Sequence, residues 1–184
     1  MFRRRPIRRM LRQERRGRRA SQELVQANQM MESGDYLGAA EQFEAIARMA
    51  EARGGRHGPQ FYLQAGRARL LAGQNEAGLA QLKHGLSLLV SRAEWLRLHR
   101  AGQRIVGELT QRGLTKEATE VSDFLNSNLP GNFSAPNAVS PARKPVLPTH
   151  CPSCGAALRP DEVEWLDEST AECAYCGSPV RKDS

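Results

Sequence analysis

Aromatic side chains are scarce, 5% of 184 residues, and long apolar runs are missing altogether. The first shortage argues against a core built around large rings and favours helices packed closely through Ala, Leu and Gly. The second excludes a bilayer-spanning helix, which needs roughly 18 to 20 consecutive apolar residues. The arginine-rich start is not followed by an apolar stretch with a small-residue cleavage site, so a secretory signal is not expected. Cysteine is rare as well, with four residues confined to positions 151 to 176. So few thiols, clustered in a chain without an export signal, point to a reducing compartment and to metal ligation before disulfides. The expectation is a cytoplasmic, bacterial protein.

Signatures of catalysis are missing too. No glycine pattern resembles a phosphate-binding loop or a dinucleotide-binding turn. His57, His84, His99 and His150 fall in a loop, on two different helices and beside the first cysteine, with no nucleophile motif near them. They read as isolated surface histidines. The acids of the helical region, scattered among arginines, read as ordinary solvated faces. No enzyme and no small-molecule substrate are expected.

Charge divides the chain more clearly than composition does. Residues 1 to 19 hold ten arginines against Glu14 alone, whereas residues 150 to 184 hold seven acids and three bases. Residues 20 to 149 are nearly neutral, with fourteen bases and twelve acids. Four segments follow: an arginine-rich arm over 1–20, a helical domain over 21–128, a linker over 129–149 and a cysteine module over 150–184. The linker holds five prolines among Asn, Ser and Ala, with no periodic apolar face, and is expected to be extended and flexible.

Within residues 21 to 128 apolar residues recur at helical spacing, interrupted at Gly34-Asp35, Gly73-Gln74-Asn75 and Gly113-Leu114-Thr115. These glycines are 39 and 40 residues apart, a period expected of stacked helical hairpins. The second helix of each unit carries a stripe: Leu37, Ala40, Phe43, Ile46, Ala47 and Ala50; then Leu79, Leu82, Leu86 and Leu89; then Ala118, Val121, Phe124 and Leu125. The first helices carry Leu24, Ala27 and Met31; Tyr62, Ala65, Gly66 and Leu70; and Trp95, Leu98, Gly102, Ile105, Val106 and Leu109. Gly54 to Gly58 reads as a loop inserted between the first two hairpins.

Gly34-Asp35-Tyr36 followed by Ala39, Phe43 and Ile46 resembles the turn and second helix of a tetratricopeptide repeat. Ala27 and Gly66, each seven residues before a turn glycine, sit where that family keeps a small residue. The resemblance covers about 105 residues and implies a mainly α fold, a stack of about three hairpins whose groove receives a protein or peptide partner.

The cysteines form two copies of Cys-x-x-Cys-Gly, Cys151 to Gly155 and Cys173 to Gly177, with 18 residues between the inner cysteines. This is the spacing of a four-cysteine zinc site. Two intervening residues let both sulfurs of a knuckle face one cation, and the glycine closes the turn. Cys151, Cys154, Cys173 and Cys176 would then surround one structural zinc ion with no open coordination position; iron in a rubredoxin-like site and two disulfides are the alternatives. Val163 to Trp165 and Thr170 to Glu172 alternate as strands around a turn at Asp167-Glu168-Ser169. The segment resembles the zinc ribbons, small β units too poor in apolar surface to fold without their metal. Asp161, Glu162, Glu164, Asp167, Glu168 and Glu172 make it acidic, which disfavours phosphate contact there.

The arm concentrates Arg3, Arg4, Arg5, Arg8, Arg9, Arg12, Arg15, Arg16, Arg18 and Arg19, with Ile7, Met10 and Leu11 on one helical face. Arginine's forked donors suit phosphate, so the arm's expected partners are nucleic acid or an anionic membrane surface, against the plain alternative of a solvated tail. Taken together, the sequence describes a non-enzymatic interaction adaptor with a structural zinc ribbon. A nucleic-acid-associated factor held by its arm is the second reading, and an iron electron carrier the third.

Overall fold

The computed structural model describes residues 22–133, 146–159, 163–165, 169–173, 176 and 178–181; the arginine arm and residues 134–145 of the linker lie outside them. Six helices among the described residues form the body: α1 (22–33), α2 (Tyr36–Glu51), α3 (Gly58–Leu71), α4 (Asn75–Ser91), α5 (Trp95–Gln111) and α6 (Thr115–Asn128). None is long and apolar enough to cross a membrane.

The chain leaves α3, α4 and α5 through the same backbone device, which also follows α2, where the Gly55 amide donates to Ala50 O (2.7 Å) and the Gly54 amide to Glu51 O (2.8 Å). After α3 the Gln74 amide donates to Arg69 O (2.9 Å) and the Gly73 amide to Leu70 O (3.1 Å). Glu94 donates to Leu89 O (3.0 Å) and Ala93 to Val90 O (2.9 Å) after α4; Leu114 donates to Leu109 O (2.9 Å) and Gly113 to Thr110 O (3.0 Å) after α5. Paired bonds of this kind satisfy the last carbonyls of a helix and require one residue in the left-handed region. After α3, α4 and α5 that residue is Gly73 (φ 78°), Ala93 (φ 54°) and Gly113 (φ 74°), twenty positions apart each time. Ala93 is the turn that a search for glycine misses, and it bears the Cβ strain the two glycines avoid. Gly34 (φ 83°) ends α1, and the Asp35 carboxylate then caps α2 by accepting from the Gly38 amide at 3.0 Å.

Helix α3 is the shared wall of two apolar cores. Phe61, Tyr62, Ala65 and Ala68 pack with Leu24 and Ala27 of α1 and with Ala39, Ala40, Phe43, Ile46 and Ala47 of α2. Leu63 and Leu70 pack instead with Leu79, Leu82, Leu86 and Leu89 of α4, Leu98, Ile105 and Leu109 of α5, and Ala118, Val121 and Leu125 of α6. A helix buried on both sides loses the one-sided polarity of a surface helix. Its backbone also runs hard against α4: a Cβ added at Gly66 would lie 2.7 Å from Leu82 Cγ and 2.8 Å from Gly78 O. Tyr62 pins the other side, donating to Glu51 Oε2 at 2.6 Å and meeting the His84 ring edge-on at 4.4 Å. Burial, then the Glu51 hydrogen bond, pushes the Tyr62 hydroxyl up to about 12.

Leu37 departs from the expected stripe and is 47% exposed. The buried face of α2 is centred between Phe43 and Ala47 and includes Ala39, which places Leu37 about 120° around the helix from it. The remaining stripe residues are buried or partly buried against the two cores.

Among the described residues three short antiparallel strands follow, β1 (Glu164–Trp165), β2 (Thr170–Glu172) and β3 (Pro179–Arg181), in the order β1-β2-β3. Trp165 pairs with Ala171, and Ala171 with Val180. The first two strands are where the alternation places them; the third completes the sheet on an edge the sequence reading left unassigned. Leu147, Ala156, Leu158, Val163, Ala171 and Val180 join the same core as α1, α2 and α3, so the packed module reaches back to Leu147.

Two substitutions test the packing account. Ala93→Gly relieves a left-handed alanine and is expected to stabilise the fold by about 1 kcal/mol, whereas Gly66→Ala forces α3 from α4 and is expected to destabilise it by about 1 to 3 kcal/mol. Urea denaturation followed by circular dichroism distinguishes them, and equal midpoints would contradict both assignments.

Candidate metal centre and adjoining cleft

The two knuckles are built by backbone hydrogen bonds before any metal is considered. The Cys151 amide donates to Ala156 O at 2.8 Å, the Gly155 amide to Cys151 O at 2.8 Å, and Leu158 to Thr149 O at 2.9 Å. Gly155 takes φ 72°, the conformation the first Cys-x-x-Cys-Gly turn needs. On the other side the Cys173 amide donates to Ser178 O at 2.9 Å.

These turns bring Cys151, Cys154, Cys173 and Cys176 together, with all four sulfurs within 4.8 Å of one another. Cys151 Sγ lies 3.7 Å from Cys176 Sγ, and Cys154 Sγ lies 3.9 Å from Cys173 Sγ. A tetrahedron with metal–sulfur bonds of about 2.3 Å has edges of about 3.8 Å, so the cluster fits one four-coordinate ion. A disulfide requires about 2.0 Å, and all four cysteines are free. Three of them are buried and Cys176 is half-buried. As free thiols they would contend for protons. Hydrogen bonds with Cys173 and Cys176, then burial, push the Cys154 thiol up, while hydrogen bonds with Cys154 and Cys173, joined by Ser178, hold Cys176 down. One divalent cation resolves that conflict by accepting four thiolates.

The module is held to the helices by polar contacts as well as by its share of the core. Asn28 Nδ2 of α1 donates to Cys154 O at 3.1 Å, tying a helix directly to a ligand's backbone. His150 Nε2 lies 3.1 Å from Glu32 Oε1, so this histidine faces α1 and does not join the four sulfurs. Glu172 of β2 lies 3.5 Å from Arg56 Nη1 and 3.9 Å from His57 Nε2. Of the acids expected to crowd the metal, Asp161, Glu162, Asp167 and Glu168 lie outside the described residues, and Glu172 faces the helical body.

His57 corrects the expectation of four isolated surface histidines. Its side chain is 24% exposed, and its Nδ1 is buried without a hydrogen-bond partner. Burial first, then Arg97 and Arg56, hold it below the usual histidine range, against the opposing pull of Glu172.

His57 lines an open cleft with an enclosed volume of about 100 Å³, smaller than a typical small-molecule pocket and open to solvent like a surface groove. Gln60, Gln64 and Arg67 of α3 form one wall, and Arg97, Arg100, Arg104 and Glu108 of α5 form the facing one. Val163 and Glu172 of the cysteine module close an end, and Leu63, Leu89, Ala101 and Ile105 supply the apolar lining. Arg67 and Glu108 pair across the walls. The sequence reading treated the arginines of α5 as a solvated face. The available signal was the spacing of 97, 100, 104 and 108, which puts all four on one side of a helix; what it could not give was the opposing wall. The ten arginines of the arm lie outside the described residues.

Compared with protein-family models, with curated proteins and with solved structures, the chain matches none.

The purified protein is expected to hold one divalent metal ion per chain by elemental analysis. Chelation, or Cys154→Ser, should release Trp165 from its packing and shift its fluorescence to longer wavelength, with Trp165→Phe as the control. Metal-free protein whose Trp165 emission is unchanged by chelator would contradict the assignment.

Proposed function

We propose that the protein is a non-catalytic docking adaptor of the reducing cytoplasm. In this reading α1–α2, α3–α4 and α5–α6 form a tetratricopeptide-like stack of three hairpins, and a C-terminal zinc ribbon braces it. The observation that carries the proposal is the cleft whose walls come from α3, α5 and the cysteine module together. A segment of a partner protein entering it would touch all three, so metal binding and partner binding are coupled through one surface. The regular turns at Gly73, Ala93 and Gly113 support the repeat assignment. Zinc is favoured because four-cysteine knuckles at this spacing are its usual structural coordination; the closed set of four thiolates leaves no position for a reacting ligand, which argues for a structural ion. The helical groove of the resembling family receives peptides, which supports the choice by analogy.

The arginine arm supplies a second attachment in this scheme, to nucleic acid or to an anionic membrane surface, through ten charges that release counterions on binding. It adds location to the adaptor and leaves the cleft as the site of partner choice.

A photo-crosslinking residue placed at Gln60 of the full-length protein in cells tests the reading. A discrete set of protein adducts that survives nuclease, is absent when the crosslinker is moved to Lys116, and is lost with Cys154→Ser is the expected result. Adducts that vanish with nuclease, or none at all, would overturn it.

A further inference from the structure

We propose that the cleft selects an acidic peptide segment, seating carboxylates on the arginine wall of α5 and an apolar side chain among Leu63, Leu89 and Ile105. This rests on the docking reading above and names the chemistry of the partner.

Charge is the first observation. Arg56, Arg67, Arg97, Arg100 and Arg104 line the cleft against Glu108 and Glu172, leaving it three positive charges in excess. Arg67 is paired to Glu108, and Arg97 to Glu94, while Arg56 faces Glu172. Arg100 has no carboxylate partner among the described residues and is exposed at the lip. Guanidinium forks on one helical face, spaced a turn apart, match carboxylates spaced along an extended or helical peptide.

An unsatisfied donor is the second, independent observation. Gln64 is only 5% exposed, lines the cleft, and its Nε2 has no hydrogen-bond partner among the described residues. A buried amide left without an acceptor is costly in a native fold, and a bound ligand is one of the few explanations. A carboxylate or a peptide carbonyl is the acceptor that this group lacks.

The lining also separates a peptide from a nucleic acid. Grooves for single strands combine basic charge with aromatic rings on which bases stack, and among the described residues no Phe, Tyr or Trp lines this one. Glu108 and Glu172 interrupt the positive field at two places, and the segment 150–184, of which Val163 and Glu172 line the cleft, is acidic in sequence overall. A continuous phosphate backbone would meet repulsion there, whereas a short acidic segment with one apolar anchor would not.

The test uses full-length, metal-loaded protein and a fluorescein-labelled peptide of alternating Glu and Leu, read by anisotropy. Saturable binding is expected, weakened roughly tenfold or more by Arg100→Gln with Arg104→Gln and by added salt. Arg100→Gln alone, at an exposed position, should give a smaller loss in the same direction. The paired control Arg53→Gln with Lys116→Gln, which removes the same charge elsewhere, should leave binding unchanged. Equal affinity for the Gln-Leu version of the peptide, or insensitivity to both cleft variants with metal content and melting temperature intact, would overturn the proposal. So would a thymidine oligonucleotide whose binding falls with the cleft pair and not with the control pair. If the Gln60 adducts persist undiminished in the cleft pair, docking stands and acid selection fails; if no adducts form at all, the docking reading itself fails.

Discussion

Four cysteine sulfurs gathered within metal-binding distance of one another are the constraint on which the C-terminal module of this molecule depends. Sulfurs less than 4.8 Å apart cannot all ionise without a positive charge between them, and cannot all stay protonated without competing for hydrogen bonds. A bound ion fixes two knuckles at once, and the consequences spread outward. The carbonyl of Cys154 is then set to receive Asn28 from α1. Strand β2, which runs into Cys173, presents Glu172 to Arg56 and His57. Ala156, Leu158, Ala171 and Val180, too few to hold a core of their own, are delivered to the apolar face of α1, α2 and α3. Metal ligation at these four sulfurs would thereby convert a short polar segment into one end of the helical core.

On the helical side the equivalent constraint is the double burial of α3. Its glycine contact with α4 holds two backbones closer than side chains permit, and its Tyr62 ties α2 and α4 across the opposite face. Because both apolar sides are spent on packing, α3 keeps only a narrow polar strip on this face, the half-exposed Gln60 and Arg67 with the buried Gln64 between them. That strip faces the arginines of α5 across the cleft. The same packing that makes α3 a structural wall leaves its few polar groups as the inner surface of a site.

Much of this was legible in the sequence, for physical reasons that differ by element. The cysteine cluster was readable because ligand spacing encodes geometry directly. The glycine turns at 34, 73 and 113 were readable because a left-handed residue has a strong composition bias, and Ala93 was missed because it violates that bias. Leu37 was misplaced because a spacing of three from Ala40 matches a stripe locally even where the buried face has already turned away. The contact between Glu172 and the Arg56–His57 loop was out of reach, since local patterns do not say which surfaces meet across more than a hundred residues. The cleft was missed for the same cause: each wall alone resembles an ordinary solvated helix, and its character arises only where α3, α5 and the module converge.

The most direct measurement is amide hydrogen exchange of the full-length protein with and without chelator. If the metal organises the junction as well as its own module, removal must raise exchange in residues 149–181. It must also do so along α1 near Asn28 and in the loop from Gly54 to His57, while α5 and α6 hold their protection. Loss of protection confined to the cysteine segment, with α1 and the loop unchanged, would contradict the account by showing that the helical body is complete without the module.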